Sequence, residues 1–440
     1  MFEDTSFAGC ALCCGAFVLR AYAVIACCAP LWLSMAEERF DQESELLAWT
    51  ERNAIEVESS VSWIGPSNLC QRGACSREAL QHGQVLAKVP ASSLLSKHTC
   101  SAPMAVAAVE QFLTKDVTST PWLASMACVV LIELIATESG ETPFAEYLQL
   151  LPPSEDVPWY MWDDNALALL DGTDAASVAR EESQSLKREF SNAIKPVIAD
   201  ERTTFELYAR ARTLAASRAS SANSVPCLAP ICDMLNHATF GSDTHHCLLR
   251  KADDGGSEMV VERECEANAE ILTSYGKLSN NQLLTSYAFA QKDNRYDRVS
   301  LSLAHVKAAA LSFGAEMAQV KRKTEYVQDR FPVELHWDES GVRATLPDVF
   351  RQVVDALAME EITAETLIHD SLQRRLHTVA GGSLEDDQAY LHSLNDGTRL
   401  EQALLCRIGE KALLNAALYE VADSAPSFKP VQRAQFALFE

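Results

Sequence analysis

Two short polar clusters interrupt an otherwise apolar stretch between Val225 and Asp297. The first is Asp233-x-x-Asn236-His237, closing the run VPCLAPICDMLNHA. The second is Tyr275-Gly276, followed by Ser279-Asn280 and then by Tyr287-x-Phe289. A carboxylate, an amide and an imidazole are costly to bury unless hydrogen-bonded, so this run demands partners or a ligand. Each motif alone has a plain reading: Asn-His as a helix cap beside a satisfied core histidine, Tyr-Gly as a strand end. Both together, in this order, point to a binding site. The remaining cluster, His245-His246-Cys247, has no second ligand pair at a familiar spacing. It reads as an exposed turn entering a strand, and no metal is expected.

The elements that must carry these groups are short strands. CLLRK and MVVER flank Asp253-Asp254-Gly255-Gly256, a hairpin signal. The next turn, Ala267 to Glu270, contains Asn268, which tolerates a left-handed backbone. Upstream, VSWIG and QVLAKVP read as strands on either side of a polar turn. From Pro103 to Arg218 the pattern is helical. There TPWLASMACVVLIELIATESG reads as a buried helix ending near Gly140, too short to cross a membrane, and PFAEYLQLLP follows it. Further helices are expected from Asp164 to Leu170 and from Ala175 to about Ile198, the latter kinked or ended by Pro196. Beyond Arg298 the chain turns helical again, with a small hairpin suggested by VELHWDESGVRATLP. PDVFRQVVDALAM reads as a helix with Pro347 in its first turn. NDGTRLEQALLCRIGEKALLNAALYEV reads as an amphipathic helix with Leu400, Leu404, Ile408 and Ala412 on one face.

The pair DMLNHA … EILTSYGKLSNNQLLTSYAF resembles the C-terminal half of a SET domain. More narrowly, it is similar to the branch typified by the Rubisco large-subunit lysine methyltransferase and the actin-histidine methyltransferase. That branch reads D-x-x-N-H-S, then Y-G, S-N-A-E-L and Y-G-F. QRGACSREALQHGQVLAKVPASSLLS resembles the N-terminal SET strands, whose usual form carries G-x-G. Here Gln71 stands at the first glycine, leaving Gly73, and Cys70 replaces a usual acidic residue. Ser217 to Ser220 match an S-R-A-F element through Arg218. The implied fold is α+β. A β-rich SET core with a threaded, knot-like C-terminal segment would occupy 41–300, with a helical insertion at about 101–222. An all-helical substrate-binding domain would follow at 301–440.

The resemblance implies methyl transfer from S-adenosyl-L-methionine to a protein side-chain nitrogen, with the protein aligning the attack in a polar, partly dehydrated channel. Tyr275 is the catalytic candidate, because the matching hydroxyl orients the methyl and the target nitrogen. Asn236 and His237 match residues that contact the cofactor, Asp233 holds their turn, and Gly73 permits close backbone approach. Arg218 is a candidate partner for the methionine carboxylate. Cys232, Tyr287 and Phe289 are expected to line the substrate channel, with Tyr287 also near the cofactor. Aromatic walls suit a lysine stem and stabilise a methylammonium by cation–π attraction. Lysine is the expected acceptor, since Cys232 is small where the actin-histidine type has tryptophan. A histidine acceptor and an inactive SET-like binding module are the alternatives. The latter would lose Tyr275 or the Asn-His pair, and all three are present.

Composition narrows the partners. The net charge of −24 disfavours a nucleic-acid-binding surface and fits a basic, Lys-containing protein substrate. Of 14 cysteines, Cys10, Cys13, Cys14, Cys27 and Cys28 cluster at the start, and the rest are scattered without paired spacing. This reads as reduced, cytosol-like usage. After Tyr287 the next cysteine is Cys406. Many histone-directed SET enzymes carry a Cys-rich zinc cluster there, so a non-histone target is expected. Residues Phe7 to Leu33 are apolar except for Arg20 and long enough to span a bilayer, the one route to membrane association expected here. Glu3 and Asp4 precede them where a secretory signal carries positive charge. The leader 1–40 is therefore read as peripheral and the compartment as cytoplasmic, with a membrane anchor or a plastid-type organellar leader as alternatives.

Overall fold

The computed structural model describes residues 42–67, 72–151, 162–220, 225–358, 362–395 and 397–424. The leader, Cys70 and Gln71 lie outside the described residues, so the expectations about them stay there. Helix α1 (42–52) leads into strands β1 (Glu56–Val57), β2 (Val61–Gly65), β3 (Gly73–Ser76) and β4 (Val85–Val89). After the short β5 (Leu95–Ser96) come α2 (Pro103–Glu110), α3 (Pro121–Ser139), α4 (Ala145–Leu150), α5 (Asp164–Leu169), α6 (Asp174–Glu189) and α7 (Phe205–Arg218). Strands β6 (Ala219–Ser220), β7 (Cys227–Leu228), β8 (Asn236–His237), β9 (Cys247–Lys251), β10 (Ser257–Val261) and β11 (Glu270–Thr273) complete the sheets of this half. Helix α8 (Asn280–Tyr287) closes it.

The main sheet has the order β1-β4-β10-β9-β11-β3-β2, with β8 pairing to β11. The expected hairpin forms from β9 and β10, in antiparallel register from Ser257 opposite Lys251 to Val261 opposite Cys247. Asn268 has φ 63°, the left-handed turn conformation its type allows. The consequential pairing is the parallel one between β8 and β11. It brings together two segments separated by a whole hairpin.

Helix α3 starts with Pro121 in its first turn and stops at Gly140, whose φ of 69° is the left-handed cap. Its 19 residues are long and apolar enough to cross a membrane, which corrects the expectation that it is too short. Packing gives it another role: Leu123 to Ala136 are all buried. Its one buried charge, Glu133, accepts hydrogen bonds from the Ser101 N–H and hydroxyl and from Thr142 Oγ1. The helix after Thr173 runs to Glu189 and passes through a π turn at Phe190–Ile194 before Pro196.

Past Asp297 the chain forms β12 (Arg298–Leu301), α9 (Leu303–Ser312), α10 (Met317–Thr324), β13 (Val333–Trp337), β14 (Ala344–Thr345), α11 (Asp348–Leu357), α12 (Ala364–Thr378), α13 (Leu384–Leu391) and α14 (Arg399–Ser424). This part is helix-rich and not all-helical: β12, β13 and β14 make an antiparallel sheet in which the expected hairpin gains a third strand. Pro347 is the cap preceding α11, one position before its first turn. Leu404, Ile408 and Ala412 share a face of α14 against Leu384, as the periodicity suggests, whereas Leu400 packs instead against the cluster of Ala403 and Cys406. A second core, from Val299 to Val421, is separate from the one around the main sheet. The two halves are joined by a third cluster in which Ala166 of α5 and Leu284 of α8 pack with Ala403 and Cys406 of α14.

Candidate active site

Strand register assembles the site. Asn236 lies opposite Leu272 and His237 opposite Thr273, two residues before Tyr275. The backbone N–H of Tyr275 donates to His237 Nδ1 at 3.0 Å, and the two rings lie 4.9 Å apart. Tyr287 ends α8 and stacks on Tyr275 at 4.4 Å. Ala288 then takes a left-handed φ of 62°, which terminates the helix before Phe289. Phe289 lies 5.7 Å from His237, 6.2 Å from Tyr287 and 6.5 Å from Tyr275. Four rings predicted from two separate motifs thus form one cluster. The Tyr275 hydroxyl donates to the Leu235 carbonyl at 2.9 Å.

Burial drives the His237 pKa down to about 4, so the imidazole is neutral at physiological pH. Because Nδ1 accepts from the backbone, its proton sits on Nε2. His237 therefore orients the Tyr275 strand and is no general base. Burial likewise raises the Tyr287 phenol and keeps it protonated.

The side-chain nitrogen of Asn236 donates to Glu270 Oε1 at 2.7 Å, to the Arg72 carbonyl at 3.0 Å and to Ser67 Oγ at 3.2 Å. Gly73 is required beside this group. A Cβ there would lie 2.3 Å from Glu270 Oε1 and 2.9 Å from Asn236 Nδ2.

Asp233 ties the same turn to the helical layer. Its carboxylate accepts from the Tyr147 hydroxyl of α4, and Arg218 Nη1 donates to its backbone carbonyl at 2.8 Å. The guanidinium is also 3.7 Å from Asp233 Oδ2. Burial raises the Asp233 pKa against the pull of Arg218. Burial and the Asp233 charge together hold the Tyr147 phenol well above its usual range. Tyr147 stacks on Trp49 at 5.8 Å. Two polar atoms here, Arg218 Nε and Asp233 Oδ1, are buried without a hydrogen-bond partner among the described residues. A buried, unpaired guanidinium N–H suits a carboxylate, so these residues fit the methionine end of the expected cofactor. Cys232 packs in the main core with Cys227 and Cys247, its thiol pushed up by burial. It follows Ile231, whose positive φ of 72° is rare for a β-branched residue.

Among the described residues, no group of three or more His, Cys, Asp or Glu side chains could hold a metal ion. Sequence reasoning missed Tyr147, Glu270, Ser67 and the Leu235 carbonyl. Tyr147 lies in PFAEYLQLLP and Glu270 ends the turn before β11, but nothing local reveals the partners they reach across 86 and 34 residues.

The sheet order, the β8–β11 pairing and the ring cluster define a SET-domain fold in the form found in the Rubisco large-subunit methyltransferase. The structure of the LSMT SET domain bound to lysine and AdoHcy superposes with a TM-score of 0.61, covering 87% of this chain and 91% of that one at 17% identity. Rubisco LSMT bound to AdoMet gives a TM-score of 0.61, over 87% of this chain and 92% of that one at 15% identity. In sequence the chain is similar to the N-lysine methyltransferase setd6 of Xenopus laevis, 23% identical over 67% of this chain and 66% of that protein. It is also similar to SETD6 of Mus musculus, 24% identical over 64% and 62%. The ribosomal lysine N-methyltransferase set10 of Schizosaccharomyces pombe is 26% identical over 66% of this chain and 50% of its own length. The matches thus span just under two thirds of the first relatives' length or less. No protein-family model matches the chain.

Proposed function

We propose that this protein is an S-adenosyl-L-methionine-dependent N-methyltransferase that modifies lysine on a non-histone protein. The observation that carries the reading is the ring cluster of Tyr275, Tyr287 and Phe289 beside the Asn236-His237 turn. In this reading residues 41–300 hold the cofactor and reacting groups, and 301–440 contribute to substrate binding. When bound, the cofactor supplies a methyl group on a sulfonium, already electrophilic. Arg218 binds the cofactor carboxylate, Asn236 and His237 shape the wall beside it, and Tyr275 orients the acceptor nitrogen. The stacked rings hold the aliphatic stem of lysine and exclude water. Cys232, packed in the main core, is left out of the channel wall. Lysine is favoured because SETD6 and set10 are named as lysine methyltransferases and an LSMT structure holds lysine beside AdoHcy. The net charge of −24 favours a basic partner.

The test is incubation with isotopically labelled S-adenosyl-L-methionine and a cell extract, then mass spectrometry of labelled peptides. Label on lysine is expected. Label on histidine alone would overturn the lysine assignment and keep the methyltransferase reading; wild-type protein that folds yet leaves no label on any protein would overturn both.

A further inference from the structure

The geometry points to an acid-recognising patch beside the reacting groups, centred on Phe240, that pairs with an Asp or Glu flanking the acceptor lysine of the substrate. This rests on the methyltransferase reading above and narrows its substrate class. Phe240 stands three residues past His237 and is 37% exposed. The Lys277 ammonium lies 5.2 Å from the centre of its ring, and the His245 imidazole lies 5.5 Å from it. Lys277 itself comes two residues after Tyr275. Arg295 Nη2 donates to the Phe240 carbonyl at 3.0 Å and to the Tyr296 hydroxyl at 2.8 Å, and that hydroxyl donates to the same carbonyl at 3.0 Å. Two cations from different segments are thus anchored to one exposed aromatic residue.

Among the described residues, neither cation pairs with a carboxylate. Asp243, on the same loop as Phe240, is taken by Arg263 at 2.7 Å. Arg295 spends only Nη2 on its bonds, so Nη1 and Nε of an exposed side chain remain for a carboxylate fork. The whole chain carries −24, so unpaired positive charge here runs against the overall field and selects an anion locally. Reach sets which substrate position is read. At no more than about 3.6 Å per residue, Lys277 lies within about 7 Å of Tyr275 and Phe240 within about 11 Å of His237, measured between Cα atoms. An extended substrate rising about 3.3 Å per residue brings side chains roughly two to four positions from the acceptor against the patch. There the methylene stem of an Asp or Glu rests on the Phe240 ring and its carboxylate meets the cations. The negative surface draws in a basic partner, and the patch disfavours a lysine set in a run of other cations, which would be pressed against Lys277 and Arg295.

The labelled-extract experiment on the full chain gives the first readout. Labelled lysines should carry an Asp or Glu within about four residues more often than lysines of the extract at large. Label without that enrichment overturns the assignment and leaves the methyltransferase reading standing. No label on any protein overturns that reading and this assignment with it. The second readout uses one labelled peptide and its version with the flanking acid changed to the amide, with wild type, Lys277→Gln and Lys277→Glu compared on both. On the acidic peptide KM should rise about twofold for Gln and about fivefold for Glu, with kcat near wild type. On the amide peptide the three proteins should agree, and S-adenosylhomocysteine affinity by calorimetry should be the same in all. Equal KM for the acidic peptide in all three proteins overturns the assignment. A loss of S-adenosylhomocysteine affinity as large as the rise in KM also overturns it, by placing the patch on the cofactor. If the Glu protein does not fold, an unchanged KM in the Gln protein is enough to overturn it.

Discussion

At the scale of single residues, Tyr275 has its hydroxyl proton committed to the Leu235 carbonyl, which fixes the phenol's rotation. A group held this way acts on the geometry of the reacting atoms more than on ground-state binding. Tyr275→Phe is therefore expected to lower kcat at least tenfold and leave the affinity for S-adenosylhomocysteine near wild type. Near-normal turnover in the mutant would remove Tyr275 from the reaction. His237 gives a second signature at this scale. Its pKa of about 4 and its committed Nδ1 mean that His237 itself contributes no inflection to the pH–activity profile between pH 6 and 7.

At the scale of elements, the Asp233 turn depends on a helix far away in sequence. The Tyr147 hydroxyl of α4 satisfies one oxygen of a fully enclosed carboxylate, while Arg218 at the end of α7 holds the same turn through the backbone. Removing the phenol leaves a buried charge under-satisfied. Tyr147→Phe should cost about 1–3 kcal/mol, read as a lower urea midpoint with an unchanged slope. Because Arg218 and Asp233 share this junction, the same variant should also weaken S-adenosylhomocysteine binding. A stability within 0.5 kcal/mol of wild type, about the scatter for surface changes, would show that the bond contributes little.

At the scale of the whole molecule, the joint between the two cores is buried and rich in carboxylates. Asp297 accepts from the Asn280 N–H at 2.6 Å and its side-chain amide at 3.0 Å, and it lies against Gly409 of α14, where a Cβ would come within 2.1 Å. Beside it, Glu410 pairs with Arg375 at 2.7 Å, and Arg375 also reaches Asp174 at 3.0 Å. Burial raises Asp297 to about 8 and Glu410 to about 7. In the unfolded chain both carboxyls titrate near pH 4. Between those values the folded protein holds protons that the unfolded chain has released, so this joint loses stability as pH rises from about 4 to about 8. Melting temperature should fall between pH 6 and 8.5, and Asp297→Asn, which cannot ionise, should flatten that fall by a few degrees. An identical slope in the variant would place the pH dependence elsewhere.

The sequence by itself determined the motifs, the hairpin between β9 and β10, the helix stop at Gly140 and the left-handed turn at Asn268. Each follows from local rules of periodicity, turn chemistry and backbone freedom. It also placed Asn236, His237, Tyr275, Tyr287 and Phe289 on a short roll of candidates, because polar and aromatic groups stand out against apolar surroundings. Tertiary structure alone decided which atoms meet. The parallel register of β8 on β11 put His237 beneath Tyr275, and the gap at Gly73 let Glu270 reach Asn236. Strand β12 also made a three-stranded sheet of the expected hairpin. These are non-local pairings, and no window along the chain contains both partners. Hydrogen-bond direction, charge state and the orientation of an amide depend on the second partner as much as on the first, and only the folded chain supplies it.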